Sequence, residues 1–295
     1  MSDAKEKRPL DPWGHHMPPR EHDPKHLPGF ETRQEADARR KEVSKTIQPG
    51  LFTGHLKTKL NECEARTPCR SAACPVDLRR MRRLLVGAGM ALLDELGWEP
   101  GKGITASLVP NRKFVSEKLH MFDIEAESER IRTRFARSSL ADQPIFGGWD
   151  FSWNEHSDGE WTPFWQPHLY VLMPAVTDIK GVKSVLKNMF PAGDTVPRPV
   201  KVRALEAPLA AITYSYKAFF QRRITYVDQM DGRLDNRDLP LRPGQERELR
   251  LFLDQIGFTG RLFLRNIRRR GSQLVPEPAA RMCRRDHKAK SPKSA

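Results

Sequence analysis

The sequence predicts an α+β protein: an antiparallel sheet flanked by helices, with a small cysteine-containing module ahead of it and disordered tails. Three observations carry this. Residues 147–173 hold two runs of strand-type alternation around Asp158-Gly159, a pair that supplies the positive φ a tight turn needs. Residues 75–96 carry apolar side chains at helical spacing, as do several later stretches. Residues 1–50 and 265–295 are polar and basic, with little sustained apolar periodicity.

In chain order, residues 1–50 read as a disordered Pro/His/basic segment with a short helix at Arg33–Thr46. Its His15, His16, His22 and His26 read as a solvated tract in preference to a metal site. Residues 51–98 form the module: Cys63, Cys69 and Cys74, then a helix from Pro75 in which Leu78, Met81, Leu84, Leu85, Leu92, Leu93 and Leu96 recur until Gly97 stops it. Residues 99–264 form the α+β core. Gly103–Pro110 is a strand ended by proline, and 113–139 a long charged helix. The hairpin follows, then a helix at Ile179–Asn188 and a strand at Val200–Leu205. Pro208 opens a helix through Phe220, proline being tolerated at the first helical position. A strand at Ile224–Gln229 and a helix at Pro243–Gln255 complete the core, and 265–295 is a basic disordered tail. This order suggests a sheet with its helices on one face.

A net charge of +14 and a pI near 9.9 favour an anionic partner, nucleic acid first. No apolar run approaches the roughly 20 residues of a membrane helix, and the N-terminus has no apolar signal region. Four cysteines in a chain of this length do not form a disulfide framework, so a reducing cytoplasm is expected. Arg79, Arg80, Arg82 and Arg83 sit in the first turns of the 75–96 helix, the unfavourable end for cations. Either phosphate contact or packing of their stems on apolar surface would hold them there. Arg268, Arg269 and Arg270 in the tail would bind DNA phosphates without sequence preference, or simply solvate the chain.

In the hairpin, Trp149, Phe151 and Trp153 alternate with Asp150, Ser152 and Asn154, so one face is apolar and the other polar. On the second arm His168 and Tyr170 share a face, with Gln166 two residues earlier. A hydrogen-bonded histidine is the plain reading; a Gln/His/Asp oxygen-and-nitrogen site for Mg²⁺ or Mn²⁺ is the functional one. Downstream, Lys217 lies one helical turn beyond Tyr214. Tyr214 reads as a nucleophile beside a cation, or as part of an aromatic stripe packed on the sheet. Cys63-x5-Cys69-x4-Cys74-x2-Asp77 reads as a zinc site completed by Asp77 or by His55, or as an eroded knuckle without metal.

Pro167-His168-Leu169-Tyr170, followed by Tyr214-Ser215-Tyr216-Lys217, resembles the HUH endonucleases, specifically the rolling-circle plasmid replication initiators. Their strand reads Pro-His-hydrophobe-His and their later helix carries Tyr-x-x-Lys. Cys74-Pro75-Val76-Asp77 is similar to the Cys-Pro-x-Cys knuckle ahead of the nuclease core in some related replication proteins. The resemblance follows the order of elements from about residue 60 to about residue 270. It implies a nuclease core in which Tyr214, with Lys217 beside it, attacks a phosphodiester of single-stranded or hairpin DNA and leaves a 5′-phosphotyrosine. It further implies a divalent metal at His168, with Gln166, Asp150 and Asn154 as oxygen donors. The second family histidine is Tyr170 here, and a phenol with a pKa near 10 is a poor ligand for Mg²⁺ or Mn²⁺. Two other functions fit the same residues: a non-catalytic DNA-binding derivative, and a basic RNA-binding protein.

Overall fold

The computed structural model describes residues 31–48, 50, 53–64, 67–193, 196–230 and 232–277. The four N-terminal histidines and the last 18 residues of the expected basic tail lie outside these. The helices are α1 (Arg33–Thr46), α2 (Gly54–Glu62), α3 (Pro75–Glu95), α4 (Ile124–Ala136), α5 (Ile179–Met189), α6 (Pro208–Ser215) and α7 (Pro243–Gly260). The strands are β1 (Ile104–Leu108), β2 (Ile145–His156), β3 (Phe164–Met173), β4 (Val200–Ala204), β5 (Gln221–Val227), β6 (Leu234–Pro240), β7 (Leu262–Arg265), β8 (Ile267–Arg270) and β9 (Gln273–Pro276). The protein is α+β. Among the described residues no helix is long and apolar enough to cross a membrane.

The main sheet runs β4-β1-β3-β2-β5-β6, and β7 also pairs with β2. It is antiparallel except where β5 joins β2 in parallel, so the sheet is mixed. The β2–β3 hairpin sits at its centre, with Asp150 opposite His168 and Gly148 opposite Tyr170. Along one side, β2 pairs with β7 at its start and with β5 at its end. Between the two, the Trp149 N–H donates to the Arg261 carbonyl at 2.9 Å and the Arg261 guanidinium donates to the Trp149 carbonyl at 3.2 Å. A buried arginine thus satisfies the backbone that no strand reaches.

The two faces of the hairpin follow its alternation. Trp149, Phe151, Trp153 and Trp165 are buried together. Phe122 meets Trp149 and Phe151 edge-on, and Phe252 of α7 meets Phe151. The Trp149 indole donates to Ser128 of α4 and the Trp165 indole to Glu248 of α7, each at 2.9 Å, so the polar ends of these large rings are satisfied. On the opposite face α6 rests on the sheet at Gly148, where a Cβ would lie 2.6 Å from the Ser215 carbonyl oxygen. Helices therefore cover both faces, not one. Beyond α6 a cavity opens beside Tyr170, while Ser152 and Gln166 on the same face are buried.

Several boundaries differ from the sequence reading. The charged helix begins only at Ile124, because Asp123 caps it by accepting the Ala126 N–H; Leu119–Met121 is a 3-10 turn. Helix α6 stops at Ser215, so Lys217 lies past its end. The first part of the supposed tail is folded: β7 joins the sheet, and β8 and β9 form a hairpin with Leu274 buried against the core. Arg268, Arg269 and Arg270 are therefore strand residues. The short helix expected at Arg33–Thr46 is present as α1, fixed by a Thr32–Glu35 capping box and packed on α3.

Candidate functional site

Two groups of chemistry-bearing residues are assembled. The first is the cysteine group. Cys63 ends α2, Cys74 precedes α3, and Cys69 lies in the loop between them. Cys63 Sγ is 3.5 Å from Cys74 Sγ, and Asp77 Oδ2 is 3.3 Å from Cys69 Sγ and 3.8 Å from Cys63 Sγ. All four ligand atoms lie within 4.8 Å of one another. Ligands at about 2.0–2.3 Å from one tetrahedral ion have this separation, so the group could hold a metal ion. Asp77 is fully buried; its second oxygen pairs with Arg80, and the Arg70 N–H donates to Oδ2 at 2.8 Å. Hydrogen bonds from Cys69 and Cys74 hold the Cys63 thiol far below its ordinary pKa, while burial pushes Cys74 up. His55, the alternative fourth ligand, is exposed on α2 and outside the group.

Of the four arginines of α3, Arg80 and Arg82 belong to the fold. Arg80 is committed to Asp77 and to the Glu64 carbonyl at 2.7 Å. Arg82, 1% exposed, pairs with Glu31 and reaches the Thr213 carbonyl at 3.4 Å. Arg79 donates to the Glu31 carbonyl at 2.8 Å, and Arg83 is half-buried. Arg80 and Arg82 are thus not surface phosphate contacts. Their partners Asp77 and Glu31 answer the macrodipole problem that these cations pose.

The second group lies on the polar face of the sheet, beside α6. A cavity of about 800 Å³ is lined by Thr105, Tyr170, Arg203, Tyr214, Lys217 and Arg223, with Arg82 at one wall. Of the two motif tyrosines, Tyr216 is fully buried and Tyr214 is 55% exposed, so only Tyr214 can meet a ligand. Its ring packs edge-on against Tyr170, the centroids 4.9 Å apart. Lys217 Nζ is 5.7 Å from the Tyr214 ring centroid and 2.8 Å from Asp150 Oδ2. Burial opposes the Lys217 charge, but the Asp150 carboxylate outweighs it and holds the pKa above the ordinary lysine value. His168 Nε2 lies 3.0 Å from Ser152 Oγ, and burial lowers the imidazole pKa to about 4, so the ring is neutral.

The expected ligands of a catalytic metal share this face, and the amide nitrogens of two of them are tied to the protein. The Gln166 amide donates to the carbonyls of Pro110 and Arg112 at 3.1 and 2.9 Å. Asn154 donates to Ser152 Oγ at 3.1 Å. The set fits Mg²⁺ or Mn²⁺ poorly. Its one carboxylate is neutralised by Lys217, so the ion would have to stand beside an ammonium.

Arg203 and Arg223 were not singled out in the sequence. Sheet order brings them to the site: Arg203 lies opposite Thr105 on β4, and Arg223 opposite Asn154 on β5. The only local signal was their placement in strands facing alternate sides. No protein-family model, curated protein or solved structure matches this chain.

Proposed function

We propose that this protein binds single-stranded DNA on the polar sheet face, with Tyr214 as a stacking surface and Lys217 in place of a divalent metal. The observation that carries this reading is the 2.8 Å ion pair between Lys217 and Asp150. A cation is already built into the spot where the resemblance would put a metal. Arg203 and Arg223 flank it, so a strand entering the cavity meets positive charge on both sides of an exposed aromatic ring. Backbone neutralisation and base–aromatic stacking are the two ingredients of single-strand binding.

Nucleophilic attack by Tyr214 is the weaker alternative. A phenol attacks as the phenolate and needs a base or a strong local cation. Lys217 supplies a cation, but it is already paired with Asp150, and the Tyr170 phenol, its pKa raised by burial, is no base at neutral pH. The nicking reading keeps the exposure of Tyr214 and its contact with Tyr170 in its favour. For the cysteine group we propose structural zinc, because three thiolates and a carboxylate suit it better than a hard cation.

The test uses labelled single-stranded DNA with Mn²⁺ or with EDTA. Equal binding in both, with no covalent product, is expected. A covalent adduct that needs Mn²⁺ and vanishes in Tyr214→Phe would overturn the binding-only reading. Tighter binding to RNA of the same sequence would move the partner to RNA.

A further inference from the structure

Strands β5 and β6 form an arm that outruns the sheet. β5 pairs with β2 only from Arg222 to Thr225, opposite the last residues of β2. The ribbon continues to Val227 and Leu234, which lie directly opposite each other. Hydrogen bonds build its turn: the Asp228 N–H donates to the Arg233 carbonyl at 2.7 Å, and the Met230 N–H to Asp228 Oδ1 at 2.8 Å. The tip is nevertheless apolar. Val227 is 42%, Leu234 64% and Met230 94% exposed. Three large apolar side chains on one exposed turn and the pair that flanks it mark a docking surface. The tip is also acidic. Residues 227–235 hold Asp228, Asp231 and Asp235 against Arg233, in a chain whose net charge is +14. A nucleic acid backbone or an anionic membrane would meet like charge there.

A groove of matching chemistry lies between the end of α4 and α5, with a volume of about 600 Å³. Val185 and Met189, one helical turn apart on α5, are half-buried in it, and Pro191 lies exposed beside them. Arg134 and Arg137 also line it. Both are exposed, and neither pairs with a carboxylate among the described residues. Arg134 is held in place: its guanidinium donates to the Met189 carbonyl at 2.8 Å and lies over the Phe190 ring. An apolar floor bordered by cations complements an apolar tip bordered by carboxylates. The arm does not reach its own groove. Helix α5 packs on β4, and β4 and β6 are the opposite ends of the sheet. Five strand steps of about 4.8 Å put roughly 24 Å between those edges. Only a second copy can bring an arm to the groove.

We propose that the Val227, Met230 and Leu234 tip of one copy of this chain docks between α4 and α5 of another, with the tip aspartates facing Arg134 and Arg137. Tip and groove are different surfaces, so the contact joins copies head to tail or, where the geometry closes, reciprocally. It holds whatever the Tyr214 cavity binds. The test is sedimentation of the full-length protein, free of nucleic acid, from about 1 to 100 µM. Wild type should assemble as concentration rises, and less so in high salt, which screens the charged rim. Met230→Asp and Arg137→Asp should each weaken assembly at least about tenfold. Both positions are exposed, so thermal unfolding should stay unchanged. The decisive sample is an equal mixture of the two variants. Met230→Asp keeps an intact groove and Arg137→Asp an intact tip, so the mixture should recover one-to-one dimers that neither variant forms alone. A wild type that stays monomeric over the whole range overturns the proposal. So does assembly that both variants leave intact, or a mixture as monomeric as its parts. Binding of monomers to neutral lipid vesicles that Met230→Asp removes would assign the tip to membranes and overturn it as well.

Discussion

Asp77 and Asp150 are two enclosed aspartates, each paired with a basic side chain, and they serve opposite ends. Asp77 gives one oxygen to Arg80 and leaves the other facing Cys63 and Cys69. Asp150 gives Oδ2 to Lys217, while its Oδ1 is buried without a hydrogen-bond partner. Around Asp77 three thiols converge; Asp150 shares its face with a neutral imidazole and two amides, and no thiol. What makes a metal site is the set of donors left over after the local ion pair has formed. An aspartate alone does not define one.

The comparison can be broken most forcefully at the cysteine group. Cys74→Ser should abolish any bound metal and strongly destabilise the junction between the end of α2 and the start of α3. Structural zinc contributes on the order of 10 kcal/mol in small zinc domains, with less expected where a large core also holds the fold. Metal content by mass spectrometry and thermal unfolding check this. A metal-free wild type of unchanged stability would show the group to be a metal-free cysteine cluster.

Lys217→Met tests the other aspartate. Leaving the Asp150 carboxylate without its partner should cost about 3–5 kcal/mol in denaturant unfolding. Lys217→Met with Asp150→Asn should recover most of it. If Lys217 stands in for a metal, the single variant should also gain affinity for Mn²⁺, measurable by calorimetry. No gain would mean that the remaining donors never formed a metal site.

His168 sharpens the electrostatics. Its folded pKa, near 4, lies below the unfolded value of about 6.5, so protonation favours unfolding. The stability tied to the neutral ring is complete above about pH 6.5 and is lost as pH falls toward 4. The loss reaches up to about 3 kcal/mol. His168→Asn should flatten that part of the pH profile; an unchanged slope would place the acid sensitivity elsewhere.

The smallest expected effect is at Tyr214. Replacement by alanine should weaken single-strand binding by about 1–3 kcal/mol, the usual worth of one stacked base. Tyr214→Phe should bind almost as well, because the ring remains. A loss on Phe as large as on Ala would make the hydroxyl, not the ring, the important group.

Local patterns were enough to recognise the centre of the sheet and the cysteine group. Alternation in 147–154, the Asp158-Gly159 turn and the shared parity of His168 and Tyr170 depend only on the two-residue strand period. Cys63, Cys69, Cys74 and Asp77 lie close in sequence, so their convergence could be read from spacing. The class α+β followed from the order of such segments. What needed the tertiary structure was every relation between distant segments. Arg203 and Arg223 meet at one cavity only because β4 and β5 take their places in the sheet order. Arg80 and Arg82 turned inward because Asp77 and Glu31 were waiting for them, and charge at a helix start does not reveal its partner. Lys217 left the helix and met Asp150, 67 positions earlier in the chain. Periodicity reports which face a residue shares with its near neighbours. Whether a buried charge is spent on structure or kept for a ligand depends on its long-range partner, and only the packed chain decides that.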